Sequence, residues 1–229
     1  MAAVVKTSMS QTGSQRVVLA ALKLFASKGF QATGIREIAE GAGMSSAALY
    51  HYMGTKDDLL IGIMTHALSA WYATAAEAVE ESSGPCEKLC NLIRVHVVCS
   101  GIFNLESTVV DTEVRSLSGK NRGQIVKLRD RYESLTDRIL ADGAEAGVFK
   151  VPDARILRLA LLEMCNGVSR WYRPDGIRSI ESIADEFANI GLAAARAVKR
   201  GRSVRVEDLA TRPCEDLVKL AKHHFEAEL

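Results

Sequence analysis

An all-α fold is predicted by three features of the chain. Apolar residues recur at three- and four-residue spacing in one segment after another, which marks one face of a helix. Thr, Ser and Asp stand ahead of those stripes and glycines stand behind them, as at helix starts and stops. Prolines occur only at 85, 152, 174 and 213, and aromatic residues make up only 6% of the 229 residues, while Ala, Leu, Glu and Arg, all good helix formers, are plentiful.

Residues 1–13 are small and polar without periodicity and read as an N-terminal arm. From Ser14 to Lys28 the stripe Val18, Ala21, Leu22, Phe25 makes a first helix; Gly29 ends it and Phe30 packs beneath the next pair. Thr33 reads as an N-cap, ahead of Ile35, Ile38, Ala39 and Ala42 on one face. Gly43 follows the last periodic residue, where a left-handed backbone is needed. Ser45 or Ser46 then caps another short helix, in which Leu49 turns inward and Ser45, Ser46, Ala47, Tyr50 and His51 are left outward. Thr55 caps the following helix, and Asp58 completes a capping box.

Two short helices joined by a glycine turn, the second opening on small side chains, form a helix-turn-helix. In such a unit the second helix lies in the DNA major groove with its N-terminal residues against base edges. Tyr50 and Tyr52 can donate to phosphates, and Lys56 stands at a helix N-terminus, where a phosphate is welcome. The expected DNA-binding set is Thr33, Ser45, Ser46, Ala47, Tyr50, His51, Tyr52 and Lys56. The plainer alternative is an ordinary helical hairpin inside a bundle.

Thr33, Ile38-Ala39, Gly43-Met44-Ser45, Leu49 to Tyr52, and Lys56 with Leu59 together resemble the signature of the TetR family of one-component repressors, over about residues 14–60. His51-Tyr52-Met53 departs from the usual aromatic pattern, and Ala47 and Ala48 give the reading helix few hydrogen-bonding side chains. The resemblance implies a three-helix DNA-binding domain with the helix-turn-helix at 14–54 and a helical ligand-binding and dimerisation domain at 55–200. The partners it implies are double-stranded operator DNA, a small-molecule effector and a second copy of the chain, a homodimer.

Beyond Thr55 a long helix to about Ser82 carries Leu60, Met64, Ala67 and Trp71 on one face. Pro85 opens the next, with Leu89, Leu92, Ile93 and Val97 buried and His96, Cys99 and Phe103 inward. Asn104–Leu117 is a shorter helix, and Ser116–Gly123 reads as a loop. Ile125, Leu128, Tyr132, Leu135 and Ile139 then line a charged helix that Gly143 and Gly147 are expected to stop. Asp153 caps a helix to Trp171 that is apolar on more than one face, Arg173 to Gly176 is a turn, and Ser179 caps a helix whose Gly191, Ala193, Ala194 and Ala195 permit close packing. These last two helices are the expected dimer contact. A final amphipathic helix, about Cys214 to Glu228, belongs to an extension at 201–229 that the resemblance does not map.

Apolar residues make up 48% and charged residues 25%, which suits a globular protein, and the net charge of +1 excludes a chain that coats nucleic acid by charge alone. Residues 1–60 carry six cationic side chains against four carboxylates, a modest local excess that fits a docking face. The five cysteines have no disulfide-framework spacing and read as small buried hydrophobes. The sequence shows neither a signal peptide nor an apolar run near membrane-spanning length, so the expected location is cytoplasmic, with no membrane partner.

An all-helical enzyme is the alternative class. Its candidates, Cys86-x-x-x-Cys90, His96-x-x-Cys99 and His223-His224, have spacings that arise readily on helices, and adjacent histidines point apart. No catalytic residue, metal ligand or cofactor is therefore expected. A scaffold that kept a helix-turn-helix without binding DNA is disfavoured by the full set of caps. The expected effector pocket comprises Trp71, His96, Phe103, Glu106, Arg129, Tyr132, Met164 and Trp171. Gly167 to Gly176, Arg129 to Glu133 and Gly143 to Phe149 resemble actinobacterial and related family members that sense acyl-CoA thioesters in lipid or steroid breakdown. An acyl-CoA is accordingly the expected effector, with a multidrug-type sensor as the alternative.

Overall fold

The computed structural model describes residues 12–226. The expected N-terminal arm thus lies almost wholly outside the described residues. Helix α1 (Gly13–Lys28) starts on a capping box of Thr12 and Gln15 and ends at Gly29. Helix α2 (Ile35–Gly41) is not capped by Thr33. Gly34 is its N-cap, and the Glu37 carboxylate accepts the Gly34 N–H (2.8 Å). Thr33 is buried, and its hydroxyl donates to the Gly29 carbonyl (2.8 Å), tying the two ends of the α1–α2 loop together. Gly43, at φ +66°, makes the turn into α3 (Ser46–Leu49), where Ser45 Oγ accepts from the Ala48 N–H (3.2 Å).

Helix α4 (Lys56–Glu80) starts on the Thr55–Asp58 capping box and runs from this three-helix head into the body. It packs on α5 (Pro85–Ile102), α6 (Asn104–Thr112), α7 (Gly119–Glu145) and α11 (Cys214–Glu226). Composition alone would let α4 cross a membrane, but half of its apolar window is buried inside the body, as in a core helix. Helix α5 is the centre of the body: every residue from Leu89 to Gly101 is buried, including Asn91, Arg94 and His96. A helix buried on all sides must pair its polar groups. Arg94 does so with Asp185 (2.7 Å), Thr211 (2.8 Å) and the Arg212 carbonyl (3.2 Å).

The expected loop at Ser116–Gly123 is shorter than its composition suggests, because α7 already begins at Gly119. Buried Leu117 and Ile125 pin this turn against the core, which overrides the weak helix propensity of Gly, Asn and Ser. Gly143 does not stop α7 either. It lies inside the helix and leaves the space that the Phe149 ring fills; a Cβ there would overlap the ring. The chain reverses after it at Gly147, φ +68°.

Helices α8 (Ala154–Asn166), capped by Asp153, and α9 (Val168–Trp171) are followed by α10 (Ile180–Ala194), capped by Ser179. Gly191 of α10 faces inward: a Cβ on it would overlap Ile93 of α5. It is therefore a contact within one chain, not part of a face between two copies. The extension left unmapped by sequence folds back on the body. A two-residue hairpin, β1 (Val198–Lys199) against β2 (Arg202–Ser203), leads to α11, whose Cys214, Leu217, Leu220, Ala221 and Phe225 are buried against α4, α5 and α10. All five cysteines are buried and unpaired by disulfides.

Candidate nucleic-acid interface and ligand cavity

On the head, Ser45, Ala47, Tyr50, His51 and Tyr52 are exposed around α3, while Leu49, fully buried, anchors it from beneath. Ser46 is half-buried. Thr33 is too buried to face a ligand, and its hydroxyl already has a partner. Tyr52 lies against the first turn of α1, where a Cβ on Gly13 would meet its ring. The Lys56 ammonium is turned inward. It donates to the Phe30 carbonyl (2.9 Å) and the Thr33 carbonyl (2.9 Å) and sits 4.2 Å from the Phe30 ring centre. Lys56 therefore bolts α4 to the α1–α2 loop. Arg16, absent from the expected set, places its guanidinium beside the Gly43 turn. Only the approach of α1 to that turn reveals it, and no local pattern could have.

Two carboxylates of the head, Glu37 and Asp58, are held ionised. Lys28 and the Gly34 N–H keep the Glu37 carboxyl below its ordinary pKa, and the Thr55 N–H and hydroxyl do the same for Asp58. Both stand in the first turn of a helix, where negative charge is favoured.

In the body, a cavity of about 110 Å³ opens between α4, α5, α6, α7 and α8. Four expected pocket residues line it: Trp71, His96, Arg129 and Tyr132. Sequence reasoning missed Ser107, Asp111, Glu133, Glu163 and Asn166 on the same wall, along with Leu159 and Leu162. Trp71, His96 and Tyr132 form an aromatic row, with ring centres 5.9 Å and 5.4 Å apart. His96 Nε2 meets Asn166 Oδ1 at 2.9 Å. Burial pushes the His96 pKa down to about 4, against the opposing pull of Asn166 and Asp111, so the ring is neutral. With Asn166 Oδ1 as acceptor, Nε2 carries the proton.

The other four expected pocket residues lie elsewhere. Phe103 stacks on Phe225 of α11 at 3.6 Å, because the chain bends by 99° between α5 and α6 at that residue. Glu106 borders a separate groove of about 260 Å³ with His66, Gln15 and Leu22, where burial pushes its carboxyl pKa up. Met164 of α8 is half-buried and takes no part in the cavity wall. Trp171 is half-exposed and leans on Phe187, since α8 breaks at Gly167 before reaching it. Beside them, Arg170 pairs with Asp111 (3.5 Å), and Arg173 donates to the Tyr172 carbonyl (2.9 Å).

Residues 17–63 match the family model described as "Bacterial regulatory proteins, tetR family", and residues 82–195 match "Tetracyclin repressor-like, C-terminal domain". The crystal structure of the TetR family transcriptional regulator PfmR from Thermus thermophilus is 34% identical, covers 81% of this chain and 100% of that one, and superposes with a TM-score of 0.70. The chain belongs to the TetR family. It is similar to the HTH-type transcriptional repressor KstR2 of Mycobacterium tuberculosis, at 27% identity over 175 residues, 75% of this chain and 87% of that protein. AibR in complex with isovaleryl coenzyme A and operator DNA shares the fold, at 23% identity, TM-score 0.71, and coverage of 78% and 97%. As a TetR-family member the chain is an all-helical DNA-binding transcriptional regulator, and its relatives are regulators rather than enzymes. The matched models end at residue 195, so α11 lies beyond them.

Proposed function

We propose that this chain is a homodimeric repressor that leaves its operator when a small molecule fills the cavity between α4 and α8, and that the effector is an acyl-CoA thioester or a close analogue. The observation that carries this reading is that one helix serves both sites. Helix α4 contributes Leu68 and Trp71 to the cavity wall and, at its first residue, Lys56 to the head. A shift of α4 on binding would alter the separation of the two reading helices, which successive major grooves fix at about 34–36 Å. Linkage requires that operator DNA in turn weaken effector binding by the same factor.

The apolar wall of Leu68, Val110, Leu159 and Leu162 suits an acyl chain or ring, and Arg129 at the same wall suits an anionic group. The repressor relative and the coenzyme A complex named above support the same direction. Ser45, Ser46, Ala47, Tyr50, His51 and Tyr52 remain the proposed DNA-facing set, in a head at about 14–54 carried by a body at about 55–200 and braced by the extension at 201–229. A regulator of this kind would act in the cytoplasm. The second copy would cover α8 and α10, where Ile156 and Ile190 are 61% and 50% exposed.

An operator gel shift titrated with fatty acids and acyl-CoAs tests the reading; release by thioesters supports it. A second reading is favoured by one observation. Three carboxylates, Asp111, Glu133 and Glu163, outnumber Arg129 on the cavity wall, although Arg170 and Arg158 pair with the first two. Release by an organic cation with no response to any thioester would establish a multidrug-type sensor instead.

A further inference from the structure

The inner wall of the cavity carries more hydrogen-bonding capacity than the folded chain uses. Trp71 Nε1, Ser107 Oγ and the Tyr132 hydroxyl are buried; among the described residues Ser107 Oγ and the Tyr132 hydroxyl have no hydrogen-bond partner, and the Trp71 N–H has only the Cys99 sulfur, a weak acceptor. They come from α4, α6 and α7, yet all three residues line the one cavity. The three are at most 8% exposed. Folded proteins leave few such groups unmatched, and several gathered in one cavity wall mark groups held for a ligand.

Their chemistry restricts what that ligand offers. An indole N–H only donates, a phenol donates best, and a serine hydroxyl does either. The one N–H of the neutral His96 ring is already taken up by Asn166 Oδ1, at 2.9 Å, so the ring adds no free donor. What is wanted is an acceptor. A carboxylate is the poorer one, because three carboxylates, Asp111, Glu133 and Glu163, share the wall with the one arginine, Arg129, whose charge is left for the anionic end of the ligand. We propose that the buried end of the effector bears a neutral oxygen, a ketone or similar carbonyl on the acyl chain or ring, which takes hydrogen bonds from Tyr132 and Trp71. Ser107 completes the cradle from α6. The inference rests on the effector reading given above for where the ligand sits, but it specifies the end of the ligand remote from any coenzyme.

The test separates the two. Trp171→Phe leaves Trp71 as the sole tryptophan, a fluorescence reporter inside the cavity. Binding of decalone is compared with binding of methyldecalin, a ring of nearly equal size that lacks the oxygen. The ketone is expected to bind about tenfold more tightly. Tyr132→Phe, added to Trp171→Phe, should reduce that preference to about threefold or less while leaving methyldecalin unchanged, and Ser107→Ala should reduce it less. Equal affinity for the two rings, failure of both to bind, or a preference that survives Tyr132→Phe and Ser107→Ala together, overturns the inference. A ketone preference in a protein that no thioester releases from DNA supports the oxygen cradle and removes only the thioester reading.

Discussion

Helix α3 runs four residues and α5 runs eighteen, and the two are held in opposite ways. The head that contains α3 is fastened by short polar devices: the Ser45 cap, the Thr55–Asp58 box, the Thr33 hydroxyl on Gly29 and the Lys56 ammonium on two carbonyls. The body around α5 is fastened by burial, in which α11 covers α4 and α5 with an apolar face and the buried Arg94 is paired with Asp185, Thr211 and the Arg212 carbonyl. A polar fastening on the surface is worth about 0.5–2 kcal/mol, whereas truncating one core aromatic costs about 3–5 kcal/mol. The difference places the compliance of the molecule at the junction of head and body, where a regulator has to move.

The largest expected effect is in the body. Phe225→Ala should lower unfolding stability by about 3–5 kcal/mol in urea titration, since the ring is 3% exposed and stacked on Phe103. A loss below about 1 kcal/mol would make α11 a loosely attached tail and cancel the contrast.

Acid should act next, and first on the body. The unfolded chain protonates His96 near 6.5 while the folded chain refuses the proton until about 4, so stability is unaffected above 6.5 and falls as pH drops through that interval. The loss is about 3 kcal/mol, and His96→Gln should flatten the curve there. The head follows only at lower pH, where Glu37 and Asp58, depressed in the folded state, finally protonate. Chemical denaturation at a series of pH values reads both windows.

Smaller effects belong to the head. Thr55→Ala removes the α4 cap and should cost about 1 kcal/mol. Lys56→Met should cost about 0.5 kcal/mol and weaken operator binding with almost no change in its salt dependence, because the ammonium already faces two carbonyls. A salt slope lower by about one would instead return Lys56 to the phosphates.

The same division governs what could be read from sequence. The head was legible because its signals are local: Gly43 and Ser45 act within a few residues of where they stand. The cavity was half legible. Periodicity told that Trp71, His96 and Tyr132 turn inward, but not where a helix breaks, and the bends at Phe103 and Gly167 carry Phe103 and Trp171 away from the residues beside them. Gly191 does permit close packing, but a small residue does not say against what; the partner is Ile93 of the same chain. Nothing local in the extension said that Phe225 would meet Phe103.

That last contact sets an order of events during synthesis. Arg212 holds Glu81 across 131 positions, and His224 meets Glu77 across 147. Contacts so distant in sequence close late, because the intervening loop must be ordered first. On the ribosome the head and the first turns of α4 emerge and can form early, but the face of α4 that α11 covers stays bare until α11 has left the exit tunnel. The nascent chain would thus carry a finished reading head on an unfinished lever. Full operator affinity is expected only once α11 has docked on α4, so a chain stopped short of α11 would compete poorly with one that carries it.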